Sequence, residues 1–227
     1  MSEPRADERG TTSAATVRQS DAPVRHEVVP DSDTMEPATR RPYDLASVLD
    51  VAVQEFNTRG YDGTSMGDLA NALGLSKSSI YHHVPSKEAL LGLAVDRALL
   101  TLYDVLDEPG AVQGAARDRL EHVLRRSVEV LDQELPFVTL LLRVRGNTDT
   151  ERHALERRRE FDRRVTDLVR EAMTDGDLRD DLDPALVTRL LFGTVNSLVE
   201  WYRPEEGSAR TVADALVAMT LGGLDTT

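Results

Sequence analysis

The stretch TSMGDLANALGLSKSSIYHHVPSKEAL, residues 64–90, decides the fold. It holds two short helices and the start of a third, each opened by a hydroxyl residue: Ser65, Ser76 and Ser86. A serine oxygen at an N-cap accepts one of the backbone N–H groups that the first helical turn leaves without an intrahelical partner. From Ser65, apolar Met66, Leu69, Ala70 and Leu73 recur at helical spacing, and Gly74 then supplies the backbone freedom for a sharp turn, with Leu75 plugging the corner. The next helix buries Ile80 and Val84 and is stopped by Pro85. Lys77, Ser78, Tyr81, His82 and His83 are left for something outside the fold. The chain has two lysines, Lys77 and Lys87, among 27 cationic residues, and both open helices within this stretch, where anions are favoured. A solvated surface helix is the plainer alternative. The coincidence of glycine turn, aromatic-histidine cluster and paired lysines instead points to a helix-turn-helix that reads double-stranded DNA.

Working outward, residues 43–59 form an apolar stripe of Leu45, Val48, Leu49, Ala52, Val53 and Phe56 closed by Gly60, a helix expected to pack beneath the reading pair. After Ser86 the pattern runs through Leu90, Leu91, Val95, Leu99, Leu102, Val105 and Leu106 to Pro109-Gly110, one helix of about 20 residues and about 30 Å. Breakers divide the remainder into helices over 111–135, ended by Pro136; 137–144; 148–175; 184–202; and 208–221. Six helices from Ser86 onward predict a bundle. Domains are expected at 43–88 and 89–227, in an all-α chain. Residues 1–42 carry five of the ten prolines and no periodicity, so a disordered tail is expected. Its Arg40 and Arg41 could reach a minor groove or remain solvated, and Met35 is an alternative start.

The residues GYDGTS (60–65), Leu69-Ala70, Leu75-Ser76-Lys77 and above all IYHHVPSKEAL (80–90) resemble the DNA-binding domain of TetR-type transcriptional regulators. The resemblance implies an all-helical homodimer with a three-helix reading domain and a larger helical domain that binds a small inducer. It places Thr64 and Ser65 at a phosphate, Lys77 and Ser78 near base edges, Tyr81, His82 and His83 at phosphate and bases, and Lys87 on a further phosphate. It also implies that the inducer shifts the long helix, so that the two recognition helices no longer fit successive major grooves.

In the last two helices the apolar surface exceeds one stripe: Leu186, Leu190, Leu191, Phe192, Val195, Leu198, Val199 and Trp201, then Val212, Ala213, Leu216, Val217, Met219 and Leu221. Such helices are either buried in a monomer core or shared with a partner. The TetR resemblance favours a four-helix dimer interface, with Gly193, Ser197, Ala213, Gly222 and Gly223 permitting close approach.

On the 148–175 helix, Ala154, Leu155, Phe161, Val165, Leu168, Val169, Ala172 and Met173 form the inward stripe, and Arg158 falls on it. A buried guanidinium needs an anion, which is either a bundle carboxylate or a bound ligand. Arg143, Arg145, Arg157, Arg159, Arg163 and Arg164 add local positive charge, although most can pair with Glu156, Glu160, Asp162 and Asp167 along a solvated face. The tail LFGTVNSLVEWYRP (191–204) is similar to TetR-type regulators of fatty-acid, steroid or aromatic-acid breakdown, which implies an acyl-CoA thioester as inducer. Arg145, Arg158, Phe161, Phe192 and Asn196 are the candidate ligand contacts. A drug-sensing repressor of an efflux pump shares the N-terminal argument, and a metal-sensing regulator is a third reading.

The net charge of −13 is unusual for a DNA-binding chain, and residues 43–90 hold three cations against six acids. Placement at helix ends must therefore do what net charge does not. Zero cysteines exclude disulfides, thiolate metal sites and cysteine nucleophiles. No run approaches the ~20 apolar residues of a membrane span, and the start lacks a signal-peptide core, so a soluble, cytoplasmic protein is expected. Asp118 and His122 lie four apart and could face one metal, but no zinc-protease, nucleophile-elbow or phosphate-loop pattern accompanies them. Neither catalysis, a cofactor nor a resident metal is expected.

Overall fold

The computed structural model describes residues 44–205 and 207–225. Among these there are ten helices and, apart from an isolated bridge between Leu178 and Asp225, no β-structure. The tail expected over residues 1–42, with its arginine pair and Met35, lies outside the described residues.

The reading pair forms as its caps dictate. α1 (Leu45–Arg59) starts where the Asp44 carboxylate accepts the Ser47 N–H at 2.8 Å, and ends at Gly60 with φ +81°. Its stripe is buried from Val48 to Phe56, while Leu45 remains 44% exposed. α2 (Met66–Ala72) opens with a capping box: the Ser65 hydroxyl accepts the Asp68 N–H, and the Asp68 carboxylate accepts the Ser65 N–H. Gly74, at φ +62°, turns the chain into α3 (Lys77–His83), capped by Ser76, whose Oγ accepts the Ser79 N–H at 3.1 Å. Ile80 is fully buried and Val84 nearly so, pinning α3 against its neighbours.

α4 (Lys87–Asp107) is capped by Ser86 and runs 21 residues, about 31 Å. It packs against α1 at one end and against the body helices along its length. Arg97, midway along α4, pairs with Glu134 at 2.8 Å and with Asp50 of α1 at 3.6 Å, its guanidinium lying over the Phe137 ring.

The segment expected as one helix over 111–135 is instead two: α5 (Pro109–Val112) and α6 (Ala116–Gln133). Gly114, at φ +94°, separates them with a backbone conformation that a continuous helix cannot include. Seven helices therefore follow Ser86 rather than six. Nor does Pro136 end a helix. It sits in the first turn of α7 (Leu135–Arg143), where the missing N–H has no intrahelical role.

α8 (Asp149–Thr174) opens on a Thr148–Glu151 capping box. α9 (Pro184–Trp201) is capped by Asp183 and α10 (Ala209–Thr220) by Ser208. α10 packs chiefly on α6, and α8 on α9, α6 and α4. Tyr202, just after α9, ties that end to α6 through a hydroxyl donated to Asp132 at 2.7 Å.

α7 packs along α1, and two hydrogen bonds between them share one residue. The Asn57 side-chain amide donates to the Pro136 carbonyl at 2.8 Å, and Arg143 donates to the Asn57 carbonyl, also at 2.8 Å. Both ends of this short helix are thus bonded to a single turn of α1.

Candidate DNA-reading helix and ligand cavity

On α3, Lys77, Ser78, Tyr81 and His82 are exposed and His83 is half-buried. Positions 77 and 81, and 78 and 82, are one turn apart, so these exposed side chains form one continuous surface on α3, which faces away from buried Ile80 through positions 78 and 82. Ser78 shares a hydroxyl contact with the capping Ser76 at 2.9 Å. Ser65 is spent on the α2 cap and its Oγ also donates to Asp68 at 2.6 Å, although it remains exposed.

Two residues expected at phosphates are engaged inside the protein. Thr64 is 2% exposed, with its hydroxyl donated to the Gly60 carbonyl at 2.9 Å and its N–H to Tyr61. It stitches the α1–α2 turn and offers nothing outward. Lys87 donates to the Tyr61 carbonyl at 2.7 Å and lies 4.1 Å from the centre of the Tyr61 ring, which packs edge-on against Phe56. The ammonium has three hydrogens, so one such bond leaves donors for an anion while fixing the turn to α4.

Different outcomes follow for the two alanine variants. Tyr81→Ala is expected to weaken operator binding about tenfold or more with stability changed by less than about 0.5 kcal/mol, since Tyr81 is 47% exposed. Lys87→Ala is expected to weaken binding and also to cost about 1 kcal/mol of stability through the lost Tyr61 contact. Fluorescence anisotropy on operator duplex and thermal melts separate the two; unchanged binding by both variants refutes the assigned roles.

The body encloses a cavity of about 540 Å³ between α4, α6, α7, α8 and α9. Its inner wall is apolar: Leu99, Leu131, Val138 and Leu141, each at most 5% exposed. Phe161 and Phe192 meet edge-to-face at 5.3 Å on another side. The opening is polar and cationic, with Arg158, Arg159, Arg163, Arg189, Asp162 and Asn196 on α8 and α9. Arg163 is paired with Glu160, whereas Arg158, Arg159 and Arg189 form no ion pair among the described residues. Arg158 is half-buried, its one side-chain hydrogen bond among the described residues a long 3.5 Å one to the Leu141 carbonyl. Burial holds its pKa below the ordinary arginine value, and Asp162, one turn on, offsets this only in part. The Asp162 carboxyl is itself pushed up by burial despite Arg158 and Arg189. A guanidinium under-compensated at the mouth of an apolar cavity is suited to an anionic group on an apolar ligand.

Arg158, Phe161, Phe192 and Asn196 thus line one cavity. Arg145 does not: it lies in a separate cleft of about 650 Å³ with Tyr61, Asp62, Arg143 and Glu151, because the chain from α7 to α8 runs toward the reading helices. Arg189 and Ser127 also line the main cavity. Ser127 carries the same sequence signal as Arg158, a polar residue on an otherwise apolar helical stripe; Arg189 carries none. His122, considered for a metal with Asp118, is bonded to Glu108 at 2.6 Å, and no group of three or more potential metal ligands occurs among the described residues. No described helix is long and apolar enough to cross a membrane.

A helix-turn-helix head carried on a helical body with an internal cavity defines a ligand-binding transcriptional regulator. Residues 48–94 match the model of the family described as "Bacterial regulatory proteins, tetR family", and residues 113–224 match "Tetracyclin repressor-like, C-terminal domain". The chain belongs to the TetR family, a class of DNA-binding regulators and not of enzymes. It is 30% identical over 199 residues to the HTH-type transcriptional repressor KstR2 of Rhodococcus jostii, covering 86% of this chain and 96% of the relative. A TetR-family structure from Streptomyces coelicolor A3 matches with 60% identity and TM-score 0.75 over 79% of this chain and 91% of that one. AibR, in complex with isovaleryl coenzyme A and operator DNA, shares the fold at 22% identity and TM-score 0.68, over 77% of this chain and 96% of that one.

Proposed function

We propose that this protein is a dimeric cytoplasmic repressor that holds a palindromic operator through α3 and its neighbours and is released when an acyl-CoA thioester enters the cavity of the body. In this reading residues 43–88 form the DNA-binding domain and residues 89–227 the ligand-binding and dimerisation domain. Lys77, Ser78, Tyr81, His82 and His83 touch DNA, with Lys87 at a phosphate and Ser65 at the edge of the contact. Arg158, Phe161, Phe192 and Asn196 touch ligand.

The observation that carries the ligand class is the cavity itself, apolar within and edged by three arginines that have no ion pair among the described residues. A coenzyme A thioester has the matching halves, an acyl chain for the interior and phosphates for the arginines. An uncharged drug would leave the half-buried Arg158 uncompensated, which sets the efflux reading behind this one. KstR2 as a repressor, and AibR as a protein that holds isovaleryl coenzyme A and operator DNA together, support the same reading by likeness. The dimer is supported by apolar side chains left in solvent on the last two helices: Leu186 at 46%, Leu190 at 63%, Trp201 at 57% and Met219 at 79% exposure. A two-fold protein matches a palindromic site.

A thermal-shift screen tests the ligand class. Acyl-CoAs are expected to raise the melting temperature and to displace a duplex from the region upstream of the gene or its neighbours. Stabilisation by an uncharged drug-like compound, with none by any acyl-CoA, would sink the proposal. Because binding relies on a few placed cations in a chain of net charge −13, operator affinity is expected to fall steeply as salt rises. Affinity for one specific duplex that stays constant to high ionic strength contradicts the assigned contacts.

A further inference from the structure

We infer that Ser127 hydrogen-bonds an oxygen carried on the acyl part of the ligand, so that the thioester taken by this cavity bears a ketone or hydroxyl group near the end of its chain. The inference rests on the acyl-CoA reading above and adds to it the chemistry of the acyl moiety.

Ser127 lies on the inward stripe of α6 between Leu124 and Leu131, and is 1% exposed. It lines the cavity together with Leu131, one turn on, and with Leu99 and Leu102 from α4. Its hydroxyl has no hydrogen-bond partner among the described residues. Buried polar side chains are almost always paired, and an unpaired one is destabilising.

The usual escape for a hydroxyl inside a helix is to donate to the carbonyl four residues back. In this protein Thr101, Thr139, Thr174 and Thr194 do so, at 2.7 to 2.9 Å. Ser127 makes no such bond. Ser127 is a buried member of the cavity lining, on α6, whereas the arginines that would hold the coenzyme A phosphates stand on α8 and α9. A saturated chain filling the cavity would leave this hydroxyl unpaired. A ketone would accept its hydrogen, and a hydroxyl could either donate to it or accept from it.

The test is a titration of the full-length protein with two matched series: saturated acyl-CoAs from hexanoyl to dodecanoyl, and the same chains bearing a ketone or hydroxyl one carbon from the end. Each is measured on the wild type and on Ser127→Ala by isothermal calorimetry, with melting temperatures taken in parallel. The wild type is expected to bind the best oxygenated chain about tenfold more tightly than its saturated counterpart. Ser127→Ala should erase that preference, leave the affinity for saturated chains unchanged, and melt no lower than the wild type. Equal affinity for both series in the wild type, or a preference that survives in Ser127→Ala, overturns the inference while leaving the acyl-CoA reading in place; a water satisfying Ser127 would give this result. Failure of every thioester in both series to bind overturns the two together.

Discussion

Arg158→Leu is expected to retain operator binding and to lose the response to inducer. Arg158 is remote from α3, and its side chain reaches only the cavity wall, where it holds a 3.5 Å contact to Leu141 and feels Asp162. Removing it should leave the reading helices untouched. A phosphate or thioester oxygen in the cavity mouth would lose its most buried cation, which costs about 2–5 kcal/mol when one partner of a buried charge pair is deleted. That corresponds to a loss of acyl-CoA affinity of at least about thirtyfold.

The same change should not destabilise the free protein. A half-buried guanidinium without an ion pair is replaced by an apolar group of similar reach, an exchange that is often neutral or stabilising. Calorimetry with acyl-CoA, anisotropy on operator duplex and a thermal melt together form the check. Reduced melting temperature with intact ligand binding would mean that Arg158 holds the bundle together and does not read the ligand.

The second large effect is expected from Leu190→Glu. Leu190 is 63% exposed on α9, on the same face as Leu186, so the substitution leaves the monomer core unchanged. In a two-fold interface each patch meets its own copy, and one substitution therefore introduces two like charges into an apolar contact. Sedimentation should show a monomer. Operator affinity should then fall on the order of a hundredfold or more, because the second half-site is no longer presented at a high effective concentration. A variant that stays dimeric places the interface elsewhere.

How much of this was legible in the sequence depended on whether the deciding interaction was local. The reading pair was legible because caps, glycine turn and apolar spacing all act within one or two turns: Ser65, Ser76 and Ser86 cap the helices they were assigned to. Arg158 was legible because helical periodicity alone puts it on the inward stripe. Pro136 was misread, since a proline stops one helix and opens another with equal ease, and only the path of the chain decides between them. The break at Gly114 was not read because a lone glycine inside a helical pattern is tolerated, and spacing alone does not tell such a glycine from one at positive φ. Arg145 fell outside the cavity because a loop, which carries no periodicity, fixes its direction. Thr64 keeps its motif position while its hydroxyl is committed to Gly60, Lys87 shares its ammonium with Tyr61, and no spacing rule reveals a hydrogen bond across a turn.

The two bonds between α7 and Asn57 have a thermodynamic consequence. Val138, Leu141 and Leu142 of α7 form part of the cavity wall, and the same helix is fastened at both ends to α1. A ligand that displaces the wall works directly on the floor of the reading domain, in parallel with any movement of α4. Coupling of this kind is reciprocal: whatever factor the inducer takes from operator affinity, bound operator must take from inducer affinity. Under the proposed function, a promoter-bound copy is therefore a less sensitive detector than a free one, and the concentration at which genes switch on depends on how much of the protein the cell keeps off its DNA.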